Sequence, residues 1–224
     1  MSSGKLYSVA LPIGNELDIS GRALTTLESV DIIAAEDTRK FSTLRKRIGV
    51  KVRARIIAYH GHNEKDSSNG ILALLEDGKN VALVSDAGTP RVSDPGYQLI
   101  RSVFEQGYQV IPVPGPSSLT AALSISPIPT DPLLFLGFIS PKAGTRQNLL
   151  KKYFTFQGTI AFFESVHRVT KLLQAIELEW VSAEVFVARE ISKVHEELFW
   201  GSIGDSVDWS KGKKGEFVIF VRRN

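Results

Sequence analysis

Short apolar runs alternate with amphipathic segments along the first half of the chain. Between the runs, apolar residues at helical spacing predict helices around 41–48, 71–75 and 99–104, each followed within three residues by a glycine. The runs themselves are continuous and rich in β-branched residues, which is typical of parallel strands covered on both faces. They predict five strands: KLYSVAL (5–11), DIIAAE (31–36), ARIIAYH (54–60), NVALVSD (80–86) and QVIPV (109–113). This alternation indicates an α/β domain with right-handed crossovers.

The pattern changes after a segment, 126–132, that contains three prolines and cannot continue a helix or a central strand. Helices are predicted near 144–154 and 167–179, and strands over 133–140, 158–165, 184–190, 197–203 and 215–221. Short polar links between the last three strands favour antiparallel pairing. We therefore predict a first α/β domain with a mostly parallel sheet, a linker and a second α+β domain with a mixed sheet, over 1–126, 127–132 and 133–224.

The composition is that of an ordinary globular protein, with 43% hydrophobic and 23% charged residues. The absence of cysteine excludes disulfides, thiolate nucleophiles and Cys-ligated zinc. The first residues lack a basic segment followed by an apolar run, and the longest uncharged stretch, 106–130, contains five prolines. We therefore expect neither a secretory signal nor a membrane span, and predict a cytoplasmic protein.

Positive charge is concentrated in one segment. Residues 39–55 contain eight of the 27 lysines and arginines and no acidic residue. Such a segment is either a phosphate-binding surface or a solvated helix face followed by a charged loop. On the first interpretation, phosphates would be contacted by Arg45, Lys46 and Arg47.

Three predicted strands end in loops rich in Gly, Pro, Asp and Ser: LPIGN (11–15), SDAGTPRVSDPG (85–96) and VPGPSS (113–118). Ligands of open α/β sheets bind at the carboxyl ends of the strands, which is where these loops lie. Gly88 permits a positive φ, Asp86 can accept hydrogen bonds from a ligand, and Ser117 and Ser118 can present a helix N-terminus.

Several common sites are absent from the sequence. It contains no GxGxxG after the first strand, no GxxxxGK[ST] and no HExxH, which disfavours a dinucleotide site, a P-loop and a zincin site. His60, His62 and Glu64 are closely spaced, but a polar loop explains them better than a metal site, so no metal is predicted.

Taken together, the motifs PIGN, AAEDTR, YHGHNE, SDAGTP-x-x-SDPG and PGPS, with FFESVHRV and AREISKVHEE further on, carry a family resemblance. The chain resembles the bacterial ribosomal RNA small-subunit methyltransferase I family, within the tetrapyrrole-methylase-like (class III) methyltransferases. The resemblance runs from the first strand to the terminal GEFVIFV.

The resemblance implies 2′-O-methylation of a cytidine in small-subunit (16S) ribosomal RNA, free or within the 30S subunit, using S-adenosylmethionine. It also implies two α/β domains of the tetrapyrrole methylase type with the cofactor in a cleft between them, and a homodimer. Two alternatives remain: a tetrapyrrole (precorrin or uroporphyrinogen) C-methyltransferase, and a non-catalytic RNA-binding protein. The EDTR and YHGHNE motifs favour RNA over the macrocycle, and the intact SDAGTP loop favours an enzyme.

The resemblance also implies a set of cofactor-binding residues. From the first domain these are Leu11, Pro12, Asp86, Gly88, Thr89, Ser117 and Ser118. From the second domain they are Phe163, Glu164, Ala188 and Phe217, which align with strands that close over the adenine in the family. Phe163 and Phe217 are equally compatible with core positions.

On the substrate side, polar residues follow the second and third predicted strands. The weakly acidic 2′-hydroxyl must lose its proton during methyl transfer, and a carboxylate or histidine within hydrogen-bond reach can accept it. The residue types alone do not choose among the candidate catalytic residues, which are Glu36, Asp37, Arg39, His60 and Glu64.

Overall fold

A computed structural model of the chain describes residues 3–61 and 63–223. The chain forms two compact units, the first ending at Ser117 and the second beginning at Ser118. The sequence places the division later, at 127–132; both divisions leave the same five strands in each unit. The cofactor cleft stays a prediction.

The first unit contains a five-stranded parallel sheet in the order β3-β2-β4-β1-β5. All five strands predicted for it are confirmed, although four are two or three residues shorter because the outermost predicted residues leave the ladder. The strands are β1 (Lys5–Val9), β2 (Ile32–Ala35), β3 (Arg55–Ala58), β4 (Val81–Val84) and β5 (Gln109–Val113).

Helices cover both faces of this sheet, as its continuous apolar strands require. They are α1 (Gly21–Ser29), α2 (Thr38–Arg47), α3 (Glu64–Glu76) and α4 (Tyr97–Glu105), with a 3₁₀ turn at Glu16–Asp18. Leu27 of α1 and Phe41 of α2 pack on one face, and Leu75 of α3 and Leu99 of α4 pack on the other. The sequence analysis missed α1, whose short apolar stripe is interrupted by threonines; Ser20 caps it by accepting from Ala23 N at 3.1 Å.

The second unit contains a mixed sheet in the order β6-β7-β10-β8-β9, in which only β6 and β7 pair in parallel. The predicted mixed sheet and its antiparallel last three strands are therefore confirmed. The elements are α5 (Ser118–Ser124), β6 (Leu133–Phe138), α6 (Ala143–Lys152), β7 (Thr159–Ser165), α7 (Val169–Glu179), β8 (Glu184–Arg189), β9 (Glu197–Ser202), α8 (Ile203–Ser210) and β10 (Glu216–Arg222).

One face of the second sheet carries the core of that unit, where Phe162, Val187 and Ile219 pack with Leu172 of α7 and Ile203 of α8. The link between β9 and β10 was predicted to be short and polar, which is wrong: it contains α8. No helix in the described part of the chain combines the length and the apolarity that crossing a bilayer requires.

Candidate active site

The loops that follow β1 and β4 are joined by two backbone hydrogen bonds. Leu11 N donates to Gly88 O at 2.9 Å, and Gly88 N donates to Leu11 O at 3.0 Å. Gly88 has a φ of 74°, a left-handed conformation that glycine adopts without strain. The structure thus brings together Leu11 and Gly88, two predicted cofactor residues, and Pro12 follows directly in the chain.

The loop after β5 joins the same group. The Thr89 hydroxyl donates to Pro116 O at 3.0 Å, so the β4 loop contacts both of its predicted companions. Ser117 ends the first unit, whereas Ser118 begins α5 and the second unit, so this predicted pair spans the division. Leu11, Gly88 and Thr89 therefore lie together at the carboxyl edge of the parallel sheet, where ligands of such sheets bind.

Asp86 connects the β4 loop to α2. Its Oδ1 accepts from Asp37 N at 3.1 Å, and its Oδ2 accepts from Lys40 Nζ at 2.6 Å. The pKa of Lys40 is raised by this hydrogen bond and by the charge of Asp86. Both carboxylate oxygens thus already have protein partners, and the direct role of Asp86 is to position the loop against the start of α2.

Glu36 and Asp37 are adjacent but have opposite pKa shifts. Burial raises the pKa of Glu36, although its Oε2 accepts from Asp86 N at 3.3 Å. The pKa of Asp37 is lowered because its carboxylate caps α2, accepting from Arg39 N at 2.8 Å and Lys40 N at 3.3 Å. Asp37 is therefore the weaker base of the two. The Arg39 side chain is 92% exposed, with its Nε 3.6 Å from Asp37 Oδ1.

Asp94 belongs to the same region, and the sequence analysis missed it. Burial, followed by the negative charge of Glu36, raises its pKa to about 7, and a hydrogen bond with Ser85 lowers it in part. A group with a pKa near neutrality suits general-base catalysis at physiological pH. The Ser-Asp pair at 85–86 recurs at 93–94 in the same loop, a signal that the sequence does offer. We call Glu36, Asp86 and Asp94 the carboxylate cluster.

The polar residues after β3 have structural partners instead. Glu64 Oε1 accepts from Tyr59 Oη at 3.0 Å and from Gly96 N and Gln98 N at 3.0 and 3.1 Å, which satisfies the N-terminus of α4. Burial raises the pKa of Tyr59 to about 12. His60 N donates to Asn63 Oδ1 at 2.8 Å, in a turn that leads into α3. This loop is therefore organised around α3 and α4.

His62 lies outside the described residues. Within residues 3–61 and 63–223, no three His, Cys, Asp or Glu side chains are grouped as a metal ion would require.

The four predicted cofactor residues of the second unit do not share one face of the sheet. Cross-strand pairing aligns Phe163 with Val218 and Val218 with Ala188, so Phe163 and Ala188 lie on one face. Phe217 pairs with Glu164 and therefore lies with it on the opposite face, where Phe217 belongs to the helix-covered core. A ligand on the sheet surface can thus touch the side chains of only one pair.

Glu164 is buried in an ion pair. It is 2% exposed, its Oε2 lies 3.0 Å from Arg168 Nη2, and its Oε1 accepts from Ser165 N at 2.8 Å. Arg168 also donates to the carbonyl of Ile139. Phe163 has a different environment, with edge-on contacts to Phe135 and Phe138 at centroid distances of 4.9 and 5.6 Å. Phe163 is also buried, at 8% exposed, and Ala188 is fully buried, so stacking of Phe163 on a ligand stays a prediction.

The predicted RNA-binding residues lie in the last turn of α2. Lys46 is exposed, Arg45 is half-buried, and Arg47 Nη2 pairs with Glu16 Oε1 at 2.8 Å. Because the three residues are consecutive in a helix, their side chains point in different directions and do not form a row of equivalent contacts.

Comparisons with known proteins agree with this architecture. The sequence profile of the tetrapyrrole (corrin/porphyrin) methylases matches residues 5–206. Ribosomal RNA small subunit methyltransferase I of Escherichia coli O157:H7 is 42% identical over 98% of this chain and 78% of its own length. The protein of the same name from Thermotoga maritima is also 42% identical, over 97% of this chain and 98% of its own length.

A solved structure gives the same fold. The uroporphyrin-III C-methyltransferase of Thermus thermophilus, crystallised with S-adenosylhomocysteine, superposes with a TM-score of 0.68 at 15% identity, covering 97% of each chain. This likeness concerns the fold alone. Because the family profile spans most of the chain and the curated relatives cover nearly all of it, the chain belongs to the tetrapyrrole (corrin/porphyrin) methylase family.

Proposed function

We propose that this chain is an S-adenosylmethionine-dependent methyltransferase that methylates the ribose 2′-hydroxyl of a cytidine in small-subunit (16S) ribosomal RNA. The observation that carries the proposal is the 42% identity to two ribosomal RNA small subunit methyltransferases I over almost the whole chain. The joined loops after β1, β4 and β5, with the carboxylate cluster beside them, supply a site for this chemistry.

The residues of this site fit the cofactor. S-adenosylmethionine carries positive charge on its sulfonium and its ammonium group, and the carboxylate cluster provides negative charge next to the Leu11–Gly88 bridge. The glycine at the bridge leaves its backbone open to close approach. When bound, the cofactor supplies an electrophilic methyl group. Phe163 and Ala188, on one face of the second sheet, are that unit's proposed contribution, while Glu164 and Phe217 have structural roles.

The chain's own contribution to the reaction is alignment and proton transfer. Holding the ribose oxygen in line can provide ~7–11 kcal/mol of the barrier reduction. A positioned base typically adds about 10²–10⁴-fold. Asp94 is the base that we favour, because its pKa lies nearest to neutrality, raised by burial and by the negative charges of Glu36 and Asp86. Asp37 and Glu64 are occupied as a helix cap and an α4 anchor.

The alternative is a tetrapyrrole C-methyltransferase. The structural neighbour supports it only as a shared fold, because 15% identity carries no information on substrate. The identity of 42% to proteins named for ribosomal RNA favours the RNA substrate. A homodimer and a cytoplasmic location belong to the same proposal, and sedimentation of the purified protein tests the dimer.

The decisive experiment supplies purified protein with S-adenosylmethionine and 30S subunits from a bacterium that lacks its own small-subunit ribose methyltransferase. Mass-spectrometric nucleoside mapping is expected to find one new 2′-O-methylcytidine in the 16S RNA. In a parallel reaction, uroporphyrinogen is expected to remain unmethylated. Methylation of the macrocycle with unmodified RNA would replace the proposal by the alternative.

A further inference from the structure

A cavity of about 530 Å³ opens in the first unit beside the carboxylate cluster. One wall is formed by α2 with Arg39, Thr43 and Arg47, and the opposite wall by Pro12 and Ile13 of the β1 loop. The lining also contains further charged residues, namely Glu16, Asp37, Lys40 and Asp86. Cavities of about 300–1,000 Å³ hold ligands of small-molecule size, a class that includes a single nucleotide.

The cations of this cavity are positioned by weak ion pairs. Arg47 pairs with Glu16 at 2.8 Å, and Arg39 lies 3.6 Å from Asp37; both arginine side chains are exposed and both carboxylates are half-buried. Exposed pairs contribute little to stability, so an arriving phosphate can compete for these guanidinium groups. Arginine binds phosphate oxygens through two parallel hydrogen bonds. A contact with one carboxylate leaves other N–H groups of the guanidinium able to donate to a phosphate.

Asp86 links the cavity to the chemistry. Its side chain lines the cavity, its backbone N–H donates to Glu36, and its charge contributes to the raised pKa of Asp94. Lys40, which also lines the cavity, is held by Asp86 at 2.6 Å. A ribose in this cavity would therefore lie beside the carboxylate cluster, with cations on the α2 side for its phosphates.

We propose that this cavity is the acceptor-nucleotide site, in which Arg39 and Arg47 bind RNA phosphates next to the target ribose. The inference rests on the proposed function and adds to it the place of the substrate. It also divides the basic segment, because Arg39 and Arg47 line the cavity whereas Arg45 and Lys46 do not.

Two variants test the proposal on the full-length protein with 30S subunits as substrate. Thr43→Trp narrows the cavity from an exposed helix position, and the double variant Arg39→Ala/Arg47→Ala removes the phosphate contacts. We expect each to lower kcat/KM for 30S subunits at least tenfold, the double variant mainly through KM. Calorimetry should find the affinity for S-adenosylmethionine unchanged within twofold, which also verifies that both variants fold.

Salt dependence gives an independent measurement. The logarithm of the association constant for RNA falls linearly with the logarithm of the salt concentration. Each lost phosphate contact makes this slope less steep by about 0.7–0.9, so the slope of the double variant should be less steep than that of wild type by about 1.4–1.8. Arg22→Ala, at another exposed arginine of the first unit, is the matched control and should behave as wild type.

The outcomes separate the two levels of inference. An active wild type whose Thr43→Trp and double variants keep wild-type KM and salt slope would overturn the acceptor site and leave the proposed function standing. A wild type that methylates no small-subunit RNA would overturn the proposed function, and the acceptor site with it.

Discussion

Glu36 and Asp94 of the first unit and Glu197 of the second have pKa values shifted in opposite directions. In the first unit, burial raises the pKa of Glu36, and burial with the charge of Glu36 raises that of Asp94 to about 7. In the second unit, the pKa of Glu197 is lowered by a hydrogen bond from Lys213 and by the charges of Lys213 and Arg189. In the first unit Glu36 and Asp94 lie close to other carboxylates, whereas in the second unit Glu197 contacts two cations, Arg189 and Lys213.

This difference indicates where the chemistry lies. Carboxylates that crowd together destabilise the fold, and proteins retain such arrangements mainly where a reaction needs them. Ion pairs such as Arg189–Glu197, at 2.6 Å, need only a structural explanation. We therefore assign proton transfer to the first unit and treat the acidic residues of the second unit as scaffold.

The largest expected effect comes from removing the proposed base. Asp94→Asn should lower kcat by about 10²–10⁴-fold, the usual contribution of a positioned base. The wild-type rate should rise with pH through about 7, because only ionised Asp94 accepts a proton, and the variant should lose this rise. Methyl transfer to 30S subunits between pH 5.5 and 8.5 measures both. If the variant keeps the wild-type pH profile, another residue of the carboxylate cluster is the base.

Stability measurements distinguish this loss from misfolding. The pKa of Asp94 in the folded protein exceeds that of the unfolded chain, so ionisation disfavours folding as pH rises through about 7. Relative to wild type, Asp94→Asn should therefore become more stable between pH 5 and pH 8, by about 1–2 kcal/mol once solvent screening is allowed for. Urea unfolding at the two pH values provides the comparison.

The second expected effect concerns the bridge between the β1 and β4 loops. Gly88→Val forces a β-branched residue into a φ of 74°, at a cost of about 1–3 kcal/mol, and places its side chain against Ile13. Calorimetry should find at least tenfold weaker binding of S-adenosylmethionine. Gly107→Val is the matched control, since its φ is 75° and open space surrounds it. If both variants lose the same affinity for S-adenosylmethionine, backbone strain alone explains the loss.

Much of the fold could be predicted from the sequence, because continuous β-branched runs bounded by polar, Gly and Pro residues are typical of buried strands. The site could be predicted less well. The motif is enough to single out Gly88. The hydrogen bonds to both carboxylate oxygens of Asp86 could not be predicted, because they depend on where α2 begins in space. Asp94 looks like an ordinary loop aspartate until packing brings Glu36 near it. Phe217 was predicted to bind the cofactor, but the strand register places its side chain in the core, on the opposite face of the sheet from Phe163.

A smaller effect on activity is expected in the second unit. Arg168→Leu leaves the buried Glu164 without its partner and should destabilise the protein by about 2–3 kcal/mol, less than for a fully enclosed pair because Arg168 is partly exposed. At a temperature where the variant is folded, its affinity for S-adenosylmethionine should equal that of wild type. A clear loss of affinity would return Glu164 to the cofactor residues and weaken the contrast between the two sheets.

The smallest expected effect is that of chelation, which asks whether the acidic residues of the first unit provide a base or metal ligands. The sulfonium of S-adenosylmethionine already activates the methyl group, so a Lewis acid has no necessary role at the electrophile. A metal would have to act on the 2′-hydroxyl or the phosphates through residues such as Asp37 or Glu64, which are occupied as a helix cap and an α4 anchor. We expect turnover to persist after exhaustive chelation, provided that filter binding finds the RNA still bound. Turnover that stops while RNA stays bound, and returns with magnesium, would make the acidic residues of the first unit metal ligands instead of bases.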